Sequence, residues 1–130
     1  MSKYILVLFL LFFTGCDDLE NLPYGYQYVS ENMTNTVISN GYGKTAISCM
    51  VLDYKYNDQY LIAKQAYYPY GNDLNQCFST TITENIYKQE KGKIYYWLID
   101  MKNDILFGPY SKKNLLNQKL KQYHINDIKF

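Results

Sequence analysis

The sequence predicts an α+β fold, a mostly antiparallel sheet of about 6–7 strands with one C-terminal helix packed on it. Three observations lead there. Tyrosines and β-branched residues recur in short tracts broken by Gly, Pro, Asn and Asp, the residue pattern of strands and turns. Lys93 to Asp100 (KIYYWLID) is apolar on both faces, the mark of a central strand covered on each side. Lys112 to Tyr123 (KKNLLNQKLKQY) places Leu115, Leu116, Leu120 and Tyr123 at helical spacing, as one stripe.

The elements follow in order. Tyr26 to Ser30 alternates and is rich in β-formers, so it reads as a strand, with a turn at Glu31 to Asn35 and a short strand at Thr36 to Ser39. Asn40-Gly41-Tyr42-Gly43 reads as a flexible loop, and the absence of a GxxxxGK[ST] pattern excludes a phosphate cradle there. Ala46 to Tyr56 (AISCMVLDYKY) is one strong strand, apolar on both faces at its start and alternating toward its end. Asn57-Asp58 tolerates the turn conformations that let Gln59 to Tyr67 return as the second arm of a hairpin. Phe78 to Lys88 reads as a further strand, closed by a turn at Glu90-Lys91-Gly92. After Lys93 to Asp100, a turn at Met101 to Asp104 leads into Ile105 to Phe107, which Gly108-Pro109 should stop. Ser111 is placed to cap the helix, and His124 to Phe130 has room for a last edge strand.

The first sixteen residues (MSKYILVLFLLFFTGC) carry a different message. Lys3 precedes a ten-residue apolar run, Tyr4 to Phe13, about half the ~20 residues needed to cross a bilayer as a helix. Charge first, short apolar run second and small residues last is the build of an export signal. Thr14-Gly15-Cys16 resembles the lipobox of bacterial lipoproteins, although Phe13 stands where that pattern most often has Leu. The resemblance implies cleavage after residue 15 and acylation of Cys16. With about 0.8 kcal/mol per buried methylene, two or three acyl chains anchor stably. The expected organisation is therefore a signal peptide over 1–15, a lipidated cysteine and tether over 16–23, and one globular domain over 24–130. Asp17, Asp18 and Glu20 on that tether lack the fixed oxygen cage calcium requires and read as a solvated linker.

Removing fifteen residues from 130 leaves 115, enough for one domain. The signal takes one of 13 basic residues and none of 12 acidic ones, so the remainder is neutral at 12 against 12. A neutral chain without basic runs lacks the electrostatic footprint for nucleic acid. With Cys16 lipidated, Cys49 and Cys77 remain. In an oxidising compartment they could form a disulfide worth about 3–4 kcal/mol on the chain-entropy model, or pack as two small apolar thiols. Tyr67, Tyr68 and Tyr70 lie beside Pro69, Gly71 and Asn72-Asp73 in a loop that suits recognition of a sugar or protein, or folds back over the sheet end.

The segment YLIAKQ (Tyr60 to Gln65) and the pair YYWLID (Tyr95 to Asp100) and FGPYS (Phe107 to Ser111) before a terminal helix are similar to an uncharacterised family of small bacterial lipoproteins. That likeness covers most of the mature chain, rests on hydrophobic, structural motifs and brings no activity with it.

Catalytic constellations are missing. His124 is the single histidine, no G-x-S-x-G elbow accompanies it, and three or four His/Cys ligands at zinc spacing are absent. Cys49 lies in an apolar tract that should raise its thiol pKa and so disfavour thiolate chemistry. The expectation is a non-enzyme without cofactor or metal, lipid-anchored at the bacterial cell membrane with its domain outside the cytoplasm. It would serve as a binding module for an envelope protein or glycan, or alternatively as an inhibitor or immunity-type lipoprotein against a toxin or lytic enzyme.

Overall fold

The computed structural model describes residues 18–30, 36–47, 50–67 and 93–130. Among them are eight strands in two antiparallel four-stranded sheets and one α-helix. The mostly antiparallel β architecture with a single C-terminal helix is thus as expected, but the strands form two sheets where one was expected. Sheet 1 consists of β1 (Asp18–Asn21), β2 (Gln27–Ser30), β3 (Thr36–Ser39) and β4 (Thr45–Ile47), paired in chain order. Sheet 2 consists of β5 (Val51–Tyr56), β6 (Tyr60–Tyr67), β7 (Lys93–Asp100) and β8 (Ile105–Tyr110), again in chain order. The helix α1 spans Lys113–Gln122.

Strand alternation sorts the core into two layers. On β6, Leu61 and Ala63 face sheet 1 while Ile62 between them faces the helix. On β7, Ile99 joins Ile38 and Ile47 of sheet 1, and Leu98 joins Leu116 and Leu120 of α1. All of these are fully or almost fully buried. A strand buried on both faces cannot show a polar/apolar alternation, which is why KIYYWLID reads as a continuous apolar run. The molecule is a sheet–sheet–helix stack with β6 and β7 in the middle. Thr36 Oγ1 donates to the Val51 carbonyl at 2.8 Å, joining β3 to β5.

The single strand expected over Ala46 to Tyr56 is two strands in different sheets. Ile47 buries its side chain from sheet 1 and Val51 from sheet 2, both in the same inter-sheet core. The apolar start of that tract marks a chain passing between two sheets. Asp18–Asn21, expected within a solvated tether, instead forms an edge strand in register with β2, from Asp18 opposite Ser30 to Asn21 opposite Gln27. Nothing in DLEN favours a strand, so the pairing comes from the neighbouring strand, a case of tertiary context overriding propensity.

Three differences concern the C-terminal third. Gly108-Pro109 lies inside β8 and does not end it. Because β8 is an edge strand with a register shift where it faces Tyr96 and Leu98, the missing proline N–H costs no ladder bond there. The helix begins one residue after the expected start, with Lys112 at its N-cap and no side-chain capping bond, so Ser111 does not act as the cap. Packing of Leu116 and Leu120 secures the helix. Of the expected stripe, Leu115 and Tyr123 stay exposed. The terminal segment does not add a strand. Ile125 and Ile128 bury beside Leu116 and Leu120, at a spacing of three that a strand cannot direct to one face. The strand expected over Phe78 to Lys88 lies outside the described residues.

Candidate functional site

The residues singled out from the sequence are mostly beyond what the structure describes. Cys16, Cys49, Cys77, Tyr68 and Tyr70 lie outside the described residues, and Tyr67 is seen as the last residue of β6, opposite Lys93. His124 is exposed on a left-handed backbone (φ 57°) just after α1. Among the described residues no group of three or more His, Cys, Asp or Glu side chains could hold a metal ion. Beside the helix, Leu120, Ile125 and Ile128 with Lys121 and Lys129 line an open groove of about 280 Å³.

A different surface stands out at the end of sheet 1 where β1 leads into β2 and β3 into β4. The β1–β2 connection makes a single 3₁₀ turn, Pro23–Gly25, in which Tyr24 adopts a left-handed conformation (φ 58°). The β3–β4 connection contains Gly41-Tyr42-Gly43. Both tyrosines point to solvent, Tyr24 at 55% and Tyr42 at 85% exposure. A large side chain at positive φ is an uncommon state that costs about 1–3 kcal/mol and persists only where surrounding structure imposes it.

Here the imposing structure is visible. A Cβ on Gly25 would lie 3.1 Å from the Gly41 Cα, and one on Gly41 would lie 3.0 Å from the Tyr24 carbonyl oxygen. The two turns therefore touch backbone to backbone, and a Cβ at either glycine would crowd the contact. Asn40 fixes the second turn from within. Its Oδ1 accepts from the backbone N–H of Tyr42 and of Lys44, each at 3.0 Å, and its own N–H donates to the Lys44 carbonyl at 2.7 Å. Asn side chains commonly organise turns this way. The loop that reads as flexible in sequence is thus a hydrogen-bonded turn, and its tyrosine is presented on a defined backbone. The signal available in the sequence was a tyrosine followed by glycine in both turns, Tyr24-Gly25 and Tyr42-Gly43.

Below this tip, the inter-sheet gap closes with a tyrosine–carboxylate cluster. Glu20 on β1 accepts hydrogen bonds from Tyr54 and, at 2.7 Å, from Tyr56, both on β5. Those bonds hold its carboxyl below the usual range. Tyr54 is pushed well above its ordinary value, first by burial and then by its bond to Glu20. The Tyr54 ring packs at 4.5 Å from Tyr28, which sits opposite Glu20 on β2. Deeper under the tip, buried Tyr26 donates to Asp104 in the β7–β8 turn. At the end of β7, beside that turn, burial alone would raise the Asp100 carboxyl. Hydrogen bonds from Asn103, Gln59 and backbone N–H groups outweigh it and hold the carboxyl below its usual range. These carboxylates are all engaged in holding strands and turns together.

The family model described as protein of unknown function (DUF3997) matches residues 23–130. The chain belongs to that family. No curated protein and no solved structure matches the chain. The matched span of the DUF3997 family takes in both tip turns, the hairpins of sheet 2 and the helix, and the family's own description assigns no activity.

Proposed function

We propose that the protein is a non-catalytic binding module, lipid-anchored through Cys16 at the bacterial cell membrane with its domain outside the cytoplasm. It engages an envelope protein or glycan through the tip formed by Tyr24 and Tyr42. The observation that carries the reading is the pair of exposed tyrosines on backbone held rigid by the Gly25–Gly41 contact and by Asn40. Tyrosine supplies broad contact area with a polar end, and backbone ordered before binding loses little conformational freedom on contact. The anchor is supported by the N-terminal sequence, with its short apolar run ending in Thr14-Gly15-Cys16.

The test places a photo-crosslinking phenylalanine analogue at Tyr42 in the full chain expressed in cells. The control carries it at Asn114, exposed on α1. The expected result is a discrete adduct from position 42 and none from 114. Equal labelling from both positions, or none from 42, would sink the tip as the binding surface. If the adduct contained one toxin or lytic enzyme, and cells lacking the protein became sensitive to it, the inhibitor-type reading would replace the general one.

A further inference from the structure

Sheet 1 has a second surface, its outer face, which turns away from sheet 2. Opposite residues in antiparallel pairs share a face, and Glu20, Tyr28 and Ile38 point inward. The outward rows across β1, β2 and β3 are therefore Leu19–Val29–Val37 and Asn21–Gln27–Ser39. None of the six carries a charge. The first row is apolar, with Leu19 53% exposed and both valines half-buried. The second row is polar, with Gln27 Nε2 donating to Asn21 Oδ1 at 3.0 Å. The face is thus divided, two residues or about 7 Å apart, into an apolar half and a polar half.

The direction of β1 relates that division to the anchor. Cys16 is two residues before the first residue of β1 and three before Leu19. Three extended residues span at most about 11 Å. An acylated Cys16 would therefore hold Leu19 within that distance of the bilayer surface, with Asp17 alone as tether. The apolar row lies at the anchored end, whereas the polar row and the Tyr24–Tyr42 tip lie at the other end. An uncharged apolar strip of three strands, roughly 10 Å across, fits the interfacial region of a membrane, where apolar side chains are partly withdrawn from water.

We propose that the Leu19–Val29–Val37 row rests on the surface of the bilayer that holds Cys16, tilting the domain so that the tyrosine tip stands clear of the lipid. This deepens the proposed function and rests on the acylation of Cys16. The row sets which way the binding surface faces, and the lipid supplies the attachment.

The test uses the full acylated chain in phosphatidylcholine–phosphatidylglycerol vesicles with lipids brominated near the headgroup. Two variants each add one fluorophore to the native Trp97, Leu19→Trp at the apolar row and Tyr42→Trp at the tip. Intact mass records the acyl chains in every sample, and thermal unfolding confirms that each variant folds. The expected result is loss of most of the added emission from Leu19→Trp, with Tyr42→Trp emission unchanged. With acyl mass present, equal quenching of the two variants, or stronger quenching of Tyr42→Trp, would overturn the orientation and leave the anchor standing. A chain without acyl mass that fails to float with vesicles would overturn the anchor, and the orientation with it.

Discussion

The contact between Gly25 and Gly41 can be tested by asking what each glycine is for. Gly41 has no unusual φ, but an added Cβ would sit 3.0 Å from the Tyr24 carbonyl oxygen. Gly43, two residues on, has φ 73° and open space around its missing Cβ. Gly41→Ala should therefore fail by crowding and Gly43→Ala by backbone strain. Crowding of a packed contact costs about 1–3 kcal/mol, and because the tip turn can yield by a few tenths of an ångström the low end applies. Left-handed backbone costs a non-glycine residue about 1–2 kcal/mol. At a urea dependence of about 1–3 kcal/mol/M, each alanine variant should lower the unfolding midpoint by roughly 0.3–2 M. Asparagine separates the two causes, since it tolerates left-handed backbone but still carries a Cβ. Gly43→Asn should recover most of the lost stability, and Gly41→Asn should recover none. Recovery at both positions would mean the two turns are not in contact, and the rigid tip would have to be abandoned.

The remaining expectations concern the core and the titrating groups. Leu98→Ala opens a hole under α1 and Ile99→Ala one between the sheets, so each should cost about 2–5 kcal/mol by urea unfolding. Only Leu98→Ala should greatly increase amide exchange in α1, and equal exchange in both variants would contradict the three-layer stack. Glu20→Gln removes the carboxylate that holds up the Tyr54 and Tyr56 hydroxyls. Absorbance at alkaline pH should show both ionising closer to the ordinary range, with Tyr54 still high because burial is its larger cause; an unchanged titration would rule out the cluster. At the acid end, Asp100 and Glu20 are both lowered in the folded state. Their stabilisation is present above the unfolded carboxylate range near pH 4 and is lost as pH falls through the folded values. Asp100→Asn should flatten that acid loss in a pH series of unfolding midpoints, and an acid limb as steep as that of the unsubstituted chain would show that Asp100 does not contribute.

Much of the fold was legible because local pattern and final structure agree. Turn residues at Asn57-Asp58 and Met101 to Asp104 marked hairpins, and Asn57 Oδ1 does accept from the N–H groups of Gln59 and Tyr60. The stripe in KKNLLNQKLKQY gave the helix, and the continuous apolar run of KIYYWLID gave the central strand. The candidate site was less legible. Tyr24 and Tyr42 are eighteen positions apart in turns that look loosely built, and neither flanking sequence reveals that the turns touch.

The sequence by itself determined most of the element types among the described residues and the antiparallel pairing of near neighbours, because those depend on composition and spacing over a few residues. Only the tertiary structure decided that the strands divide into two sheets, that DLEN joins the first of them, and that the β1–β2 and β3–β4 turns meet. Each of those depends on pairing between backbones, which carry no side-chain signature. The break within Ala46 to Tyr56 illustrates the difference. Ile47 and Val51 are equally apolar whether they lie on one strand or bury from two facing sheets, and the choice is made by which backbone partners, β3 or β6, accept and donate the hydrogen bonds.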